Sequence, residues 1–217
     1  MSDFAQQRRM MVDGQLRTYD VTDPSLLIAM GSVPRELFVA DPATAYSDRP
    51  VAMAAGAGRR MMTPMVFARL VQGAAPTTDD SVLVVGAGTG YGAAVLAALA
   101  GRVVALESAP ALAGSAEKTL SGLALPNVTV VVGPLKAGHP ARSPYAAIII
   151  EGAIDVEPTE LLKQLSPGGR LACVMGRGRA GRAVLYTRNG DVVGQRTLTE
   201  AAAPHLEEFA AAAEFVF

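Results

Sequence analysis

The stretch Val82-Leu83-Val84-Val85-Gly86-Ala87-Gly88-Thr89-Gly90-Tyr91 decides the fold: four apolar residues, then glycines at every second position, then the start of a helical pattern. An apolar run this short suits a strand buried on both faces. Alternate glycines let the chain turn tightly and let its backbone approach a ligand, while the N-terminus of the next helix offers unpaired N–H groups. Tyr91, Ala94, Val95, Ala98 and Leu99 give that helix an apolar face to lay on a sheet.

Seventeen residues beyond Gly90, Glu107 closes the next apolar run, Arg102-Val103-Val104-Ala105-Leu106-Glu107. An acid at the end of that strand can accept hydrogen bonds from both hydroxyls of a ribose. Glycine spacing of G-x-G-x-G, rather than G-x-G-x-x-G, favours S-adenosylmethionine over a dinucleotide. A methionine moiety, not a pyrophosphate, then has to be accommodated. Gly86, Ala87, Gly88, Thr89, Gly90 and Glu107 are the expected cofactor contacts.

The same alternation continues to the C-terminus. Helices are predicted from Gly90, over 109–122 and over 157–165, between the apolar runs VTVVV, AAIII and RLACVM. Short apolar runs separated by helices are the pattern of parallel strands, so the fold class is α/β, Rossmann-like, with helices on both faces. AVLYTR and VVGQRTL flank Asn189-Gly190-Asp191, a hairpin signal that predicts an antiparallel edge. Glu214 to Phe217 is expected to pair with that edge, and 201–213 to form a loop with a helical turn.

Residues 1–80 read as a helical and loop-rich region on the substrate side of a cofactor-binding core at 81–217, within one compact domain. Asp3 to Arg17 is predicted as one amphipathic helix. Asp23-Pro24 and Thr63-Pro64 are cap-then-proline signals that open two more. Between them, residues 40–62 carry Pro42, Pro50, Gly56 and Gly58 with no sustained period, and loops this long tend to be functional.

Half of the 217 residues are apolar and the formal net charge is -1, so no global field favours nucleic acid or anionic lipid. No stretch approaches the roughly 18 apolar residues of a membrane span, and MSDFAQQRRMM lacks the apolar core of a signal peptide. Cys173, the single cysteine, excludes an intrachain disulfide and a cysteine zinc cluster and suits the cytoplasm. It reads as a buried small side chain. His139 and His205 have no partners at metal-ligand spacing, so no metal is expected. Arg177, Arg179 and Arg182, interleaved with glycines, read as a turn between edge strands rather than a phosphate contact.

Beside this reading stands a family resemblance. MVDGQLRTYDVTD, VPRELFV, VLVVGAGTGYGAAVLAAL and LLKQLSPGGRLACVMG resemble, in order and in register over roughly residues 10–176, the protein-L-isoaspartate O-methyltransferases. The resemblance implies a class I methyltransferase fold and S-adenosylmethionine as cofactor. It also implies methylation of the free carboxylate of isoaspartyl residues in damaged proteins, so that protein or peptide is the expected partner.

Several positions depart from the family. Its substrate loop reads like G-Q-T-I-S-Q-P, with a serine implicated in catalysis; here Gly58-Arg59-Arg60-Met61-Met62-Thr63-Pro64 puts Met62 at that serine. A thioether cannot donate a hydrogen bond. Thr63, one position on, has a hydroxyl, but it is better placed to cap the helix begun by Pro64. The family's acid within the first motif is Val84, and its Gly-Asp-Gly is Gly133-Pro134-Leu135, which leaves Leu135 as a cofactor contact without the carboxylate. Losing one charge-assisted bond of about 1.5 to 3 kcal/mol weakens binding roughly ten- to a hundred-fold. The family's strand-four aspartate is Ala146, with Glu151 a conceivable substitute a few residues later. Arg59 and Arg60 are candidates for holding a carboxylate bidentately, against the alternative of plain solvated charge. Met61, Met62 and Met65 are candidates for a pocket, against ordinary core packing.

The leading expectation is therefore a divergent methyltransferase of this family. The alternatives are a non-catalytic relative serving as a binding or regulatory module, motivated by Met62, Val84 and Pro134, and a methyltransferase acting on a small molecule.

Overall fold

The computed structural model describes residues 3–56 and 58–211. Helix α1 (Phe4–Met11) starts where Asp3 accepts the N–H of Gln6, and α2 (Pro24–Ser32) where Asp23 accepts that of Leu26. Strands β1 (Val51–Ala52) and β2 (Arg60–Met61) pair as a small antiparallel strap. Helix α3 (Pro64–Ala74) is capped by the Thr63 hydroxyl on the N–H of Val66. Each cap satisfies an N–H that the first helical turn leaves without an internal partner.

The helix predicted over 3–17 is shorter than expected. After Met11 the chain widens into one π-helical turn, Val12–Leu16, and tightens into a 3₁₀ turn, Arg17–Tyr19, before Asp20 turns left-handed at φ 59°. Gly14 sits inside the widened turn, and Val12 and Leu16 both reach the core from it.

From Ser81 the elements alternate: β3 (Ser81–Val85), α4 (Tyr91–Ala97), β4 (Arg102–Glu107), α5 (Pro110–Gly122), β5 (Val128–Val132), β6 (Tyr145–Ile154), α6 (Thr159–Leu162), β7 (Leu165–Met175), β8 (Arg182–Asn189) and β9 (Val192–Glu200). They build one seven-stranded sheet in the order β5-β4-β3-β6-β7-β8-β9. The first five are parallel and β8 and β9 antiparallel, joined at Asn189-Gly190 with Gly190 at φ 63°. Strand order reverses at β3, which pairs with β4 on one side and β6 on the other. In open α/β sheets the crevice beyond the carboxyl ends at such a reversal is where ligands bind.

Residues alternate between two apolar layers, which explains the unbroken apolar runs. Val82, Val84, Val103, Ala105, Ala147 and Ile149 face α2, α3 and α4, whereas Leu83, Val85, Val104, Leu106, Ile148 and Ile150 face Leu161, Leu162 and Phe209. Each fully buried aliphatic side chain contributes about 1.5 to 3 kcal/mol. Cys173 lies in the second layer, and burial pushes its thiol up to about 12.

The helix predicted over 157–165 is a single turn, because Pro158 precedes it and Leu165 already pairs with Tyr145 as the start of β7. The 201–211 segment carries one 3₁₀ turn, Glu207–Phe209, and the edge pairing expected of Glu214 to Phe217 lies outside the described residues. No helix among the described residues is long and apolar enough to cross a membrane.

Candidate functional site at the glycine loop

The loop after β3 is held by its glycines and by one acid. Gly86, Gly88 and Gly90 take φ values of +74°, +56° and +95°, a region that costs a residue with a Cβ about 1 to 2 kcal/mol. Gly86 and Ala87 donate to the carbonyl of Leu106 at 2.9 and 3.0 Å, and Gly90 to that of Ala87 at 2.9 Å. The N–H of Gly88 goes to Oε2 of Glu107 at 2.7 Å. Oε1 of Glu107 accepts from the N–H groups of Ser108 at 2.9 Å and Ala109 at 3.0 Å, and from Nη1 of Arg59 at 3.3 Å. Glu107 is fully buried, so the sequence-predicted acid and glycines do meet. Ala87 buries its methyl and Thr89 donates its hydroxyl to the carbonyl of Phe38 at 2.7 Å, so both side chains serve the fold.

The strap lies over this loop. Nη2 of Arg59 donates to the carbonyl of Gly86 at 3.3 Å, and a Cβ on Gly88 would run into the thioether of Met53. On its other side the strap borders a cleft of about 450 Å³, lined by Val39, Ala52, Met53, Gly58, Arg59 and Arg60 among others. Met53 and Arg59 therefore stand between the cleft and the loop. Arg60 is exposed and donates to the carbonyl of Pro50 at 3.1 Å. Met61 and Met62 are buried in the core, whereas Met65 is half-buried against it and lines a cleft of about 470 Å³ with Thr63 and Val66.

Beneath Met62 lies a polar cluster that the sequence did not announce. Arg35 is fully buried: its Nε donates to the carbonyl of Ala45 at 2.8 Å, and its Nη2 to that of Met62 at 2.6 Å. The guanidinium stacks on Tyr91, 4.5 Å from the ring centroid, and Tyr91 meets Phe38 edge-on at 5.7 Å. Among the described residues, Arg35 Nη1, Tyr91 Oη and Glu151 Oε1 are buried without a hydrogen-bond partner. Burial pushes the Glu151 carboxyl up to about 8, with Arg35 and Arg59 pulling it back and Glu107 adding to the rise. Burial likewise pulls the Arg35 guanidinium down, opposed by Tyr91 and Glu151. An arginine within Val33-Pro34-Arg35-Glu36-Leu37-Phe38 carries no sequence signal of burial, since arginine is ordinarily exposed.

The remaining candidates have structural partners. Thr63 caps α3. Leu135 is buried, and its N–H donates to Oε2 of Glu208 at 2.8 Å. Arg177 pairs with Asp155 at 2.7 Å and holds that carboxyl down at about 2. His205 Nε2 lies 3.1 Å from the same carboxylate. Among the described residues no group of three histidine, cysteine or acidic side chains could hold a metal.

Residues 6–202 match the family described as Protein-L-isoaspartate(D-aspartate) O-methyltransferase. A protein-L-isoaspartate O-methyltransferase from a Synechococcus strain is 41% identical over 175 residues, covering 80% of this chain and 71% of its own. In fold, the chain is similar to a solved protein-L-isoaspartate O-methyltransferase (TM-score 0.81, 24% identity, 92% of this chain and 65% of that one). It is also similar in fold to a Plasmodium falciparum protein described as a beta-aspartate methyltransferase and solved with S-adenosyl-L-homocysteine (TM-score 0.74, 16% identity, 93% and 98%).

Proposed function

Because the chain belongs to the protein-L-isoaspartate (D-aspartate) O-methyltransferase family, we propose that it transfers a methyl group from S-adenosylmethionine to the free carboxylate of isoaspartyl residues in damaged proteins. The observation that carries this is the buried Glu107, at the end of β4 and bonded to the N–H of Gly88. Its other backbone donors, Ser108 and Ala109, are fixed, whereas Arg59 is a side chain that can leave. Ribose hydroxyls would take the place of Arg59 at Glu107, and Gly86 and Gly88 would let the backbone meet the ligand once Met53 turns aside. Glu107 and the glycines thus fit the cofactor, and Leu135 is a further expected contact.

When bound, the cofactor supplies an electrophilic methyl group on a sulfonium. An acceptor carboxylate is already ionised, so no residue of this chain would have to act as a base. The protein's task is positioning. That is why Met62, which offers no hydroxyl, does not by itself forbid the reaction. Arg60, exposed on the lip of the strap, has the fork geometry to pair with a carboxylate. On this reading residues 1–80 supply the acceptor side and 81–217 the cofactor side. Damaged cytoplasmic protein is the partner, and with a net charge of -1 nucleic acid is not.

A second reading, a relative that keeps the fold without turnover, is favoured by the strap's cover of the loop and by Val84 and Pro134 where the family has carboxylates. For a small-molecule acceptor, Met61 and Met62 are buried in the core, and Met53 and Met65 are the methionines that line clefts. Titration calorimetry with S-adenosylmethionine separates binding from its absence: saturable heat is expected, and none at millimolar ligand would remove the cofactor role of the loop.

A further inference from the structure

Glu151 lies on β6 beside the reversal of strand order at β3. It follows Ile150, which pairs with Val85 immediately before Gly86, so it stands level with the first glycine of the loop. Its side chain reaches toward α4, where a Cβ on Gly92 would collide with its carboxyl. It is 5% exposed, Oε1 is enclosed, and among the described residues neither oxygen receives a hydrogen bond. A buried carboxyl left in this way costs free energy that a purely structural residue would not bear, and such groups cluster at functional sites. The charged and titratable groups around it are Arg35 from the 3₁₀ turn Arg35–Leu37, Tyr91 from α4, Arg59 from the strap and Glu107 from β4. Arg35, which bonds the carbonyl of Met62, and Arg59 and Glu107, which bond each other at the glycine loop, all act on the charge of Glu151.

We propose that Glu151 binds the methyl acceptor, its carboxyl donating a hydrogen bond to the acceptor's carboxylate so that the two groups share one proton. This rests on the reading just given, that the acceptor is a carboxylate. It supplies the donor that a methionine at position 62 cannot, with the Arg35 guanidinium, stacked on Tyr91, adding its positive charge. Two carboxyls in one buried site cannot both ionise, and the second raises the proton affinity of the first. The acceptor oxygen that does not take the hydrogen bond keeps its electron pair for the methyl group. Glu151 moves no proton during transfer.

Proton linkage tests this without relying on turnover. An isoaspartyl peptide is titrated by calorimetry into the full chain loaded with S-adenosylhomocysteine, from pH 7 to 9.5, in two buffers of different ionisation enthalpy. With the free carboxyl at about 8, the wild type is expected to lose affinity above that pH, toward tenfold per unit, and to take up close to one proton on binding at pH 9.5. Glu151→Gln keeps a donor of the same shape and is expected to bind as the wild type does at pH 7, with a flat profile and no proton uptake. Glu151→Ala is expected to bind at least tenfold more weakly at pH 7. Affinity independent of pH in the wild type, or the same slope in Glu151→Gln, would overturn the proposal. If the peptide binds without proton uptake, the role of Glu151 falls alone. If it binds at no pH while S-adenosylhomocysteine does, the carboxylate acceptor falls and this proposal with it.

Discussion

Replacing Glu107 by Gln preserves the outline of the side chain and removes the charge to which Gly88, Ser108, Ala109 and Arg59 all donate. With about 1.5 to 3 kcal/mol in a hydrogen bond to a charged group, the variant is expected to bind S-adenosylmethionine roughly ten- to a hundred-fold more weakly, measured by calorimetry. Unchanged affinity would mean that Glu107 only braces the loop. Glu151 has a separate signature in stability. Its carboxyl is raised from an ordinary 4.5 to about 8, so between those values the folded chain holds a proton that the unfolded chain has released. Stability therefore falls as pH rises across that window and levels off above about 8. Thermal melts from pH 5 to 8 are expected to show a decline in the wild type that Glu151→Gln lacks; parallel curves would contradict it. Glu107 was legible in the sequence because it ends an apolar run at a fixed distance from the glycines. Arg35 was not, because nothing local distinguishes an arginine whose partners are the distant carbonyls of Ala45 and Met62 and the ring of Tyr91.

The strap is the element whose behaviour matters most to binding. Met53, just after β1, and Arg59, just before β2, cover the loop, and these two-residue strands have no periodicity to betray them. By contrast, β3, β4 and β6 were plain in the sequence, since burial on both faces makes a strand apolar along its length. The single turn of α6 was not plain, because an apolar stretch near a proline does not say where a strand begins. If Arg59 must leave Glu107 before a ribose can reach it, Arg59→Ala removes a competitor. A partly exposed ion pair of about 0.2 to 1 kcal/mol then corresponds to cofactor binding tighter by about 1.4-fold to fivefold. Weaker binding would show that Arg59 grips the cofactor instead of covering its site. Thr63 offers no alternative to the missing serine on this element, because its hydroxyl is engaged at the start of α3.

At the scale of the molecule, one apolar cluster runs from Met11 to Leu185, so the N-terminal helices and the sheet share a core. Arg35 and Met62 from the N-terminal part and Tyr91 and Glu151 from the sheet part meet where those two halves close on each other. The glycine loop and the order reversal at β3 were readable in advance; this meeting was not, because it depends on contacts between segments far apart in sequence. On the proposed reading, S-adenosylmethionine binds at the loop beside the buried Glu107 and the acceptor carboxylate at Glu151. The most direct measurement is transfer of a radiolabelled methyl group from S-adenosylmethionine to an isoaspartyl peptide, with the normal aspartyl peptide as control. Base-labile label on the isoaspartyl peptide alone, reduced in Glu107→Gln, is the expected result. Cofactor binding without label on either peptide would contradict it and leave a binding module on a methyltransferase fold.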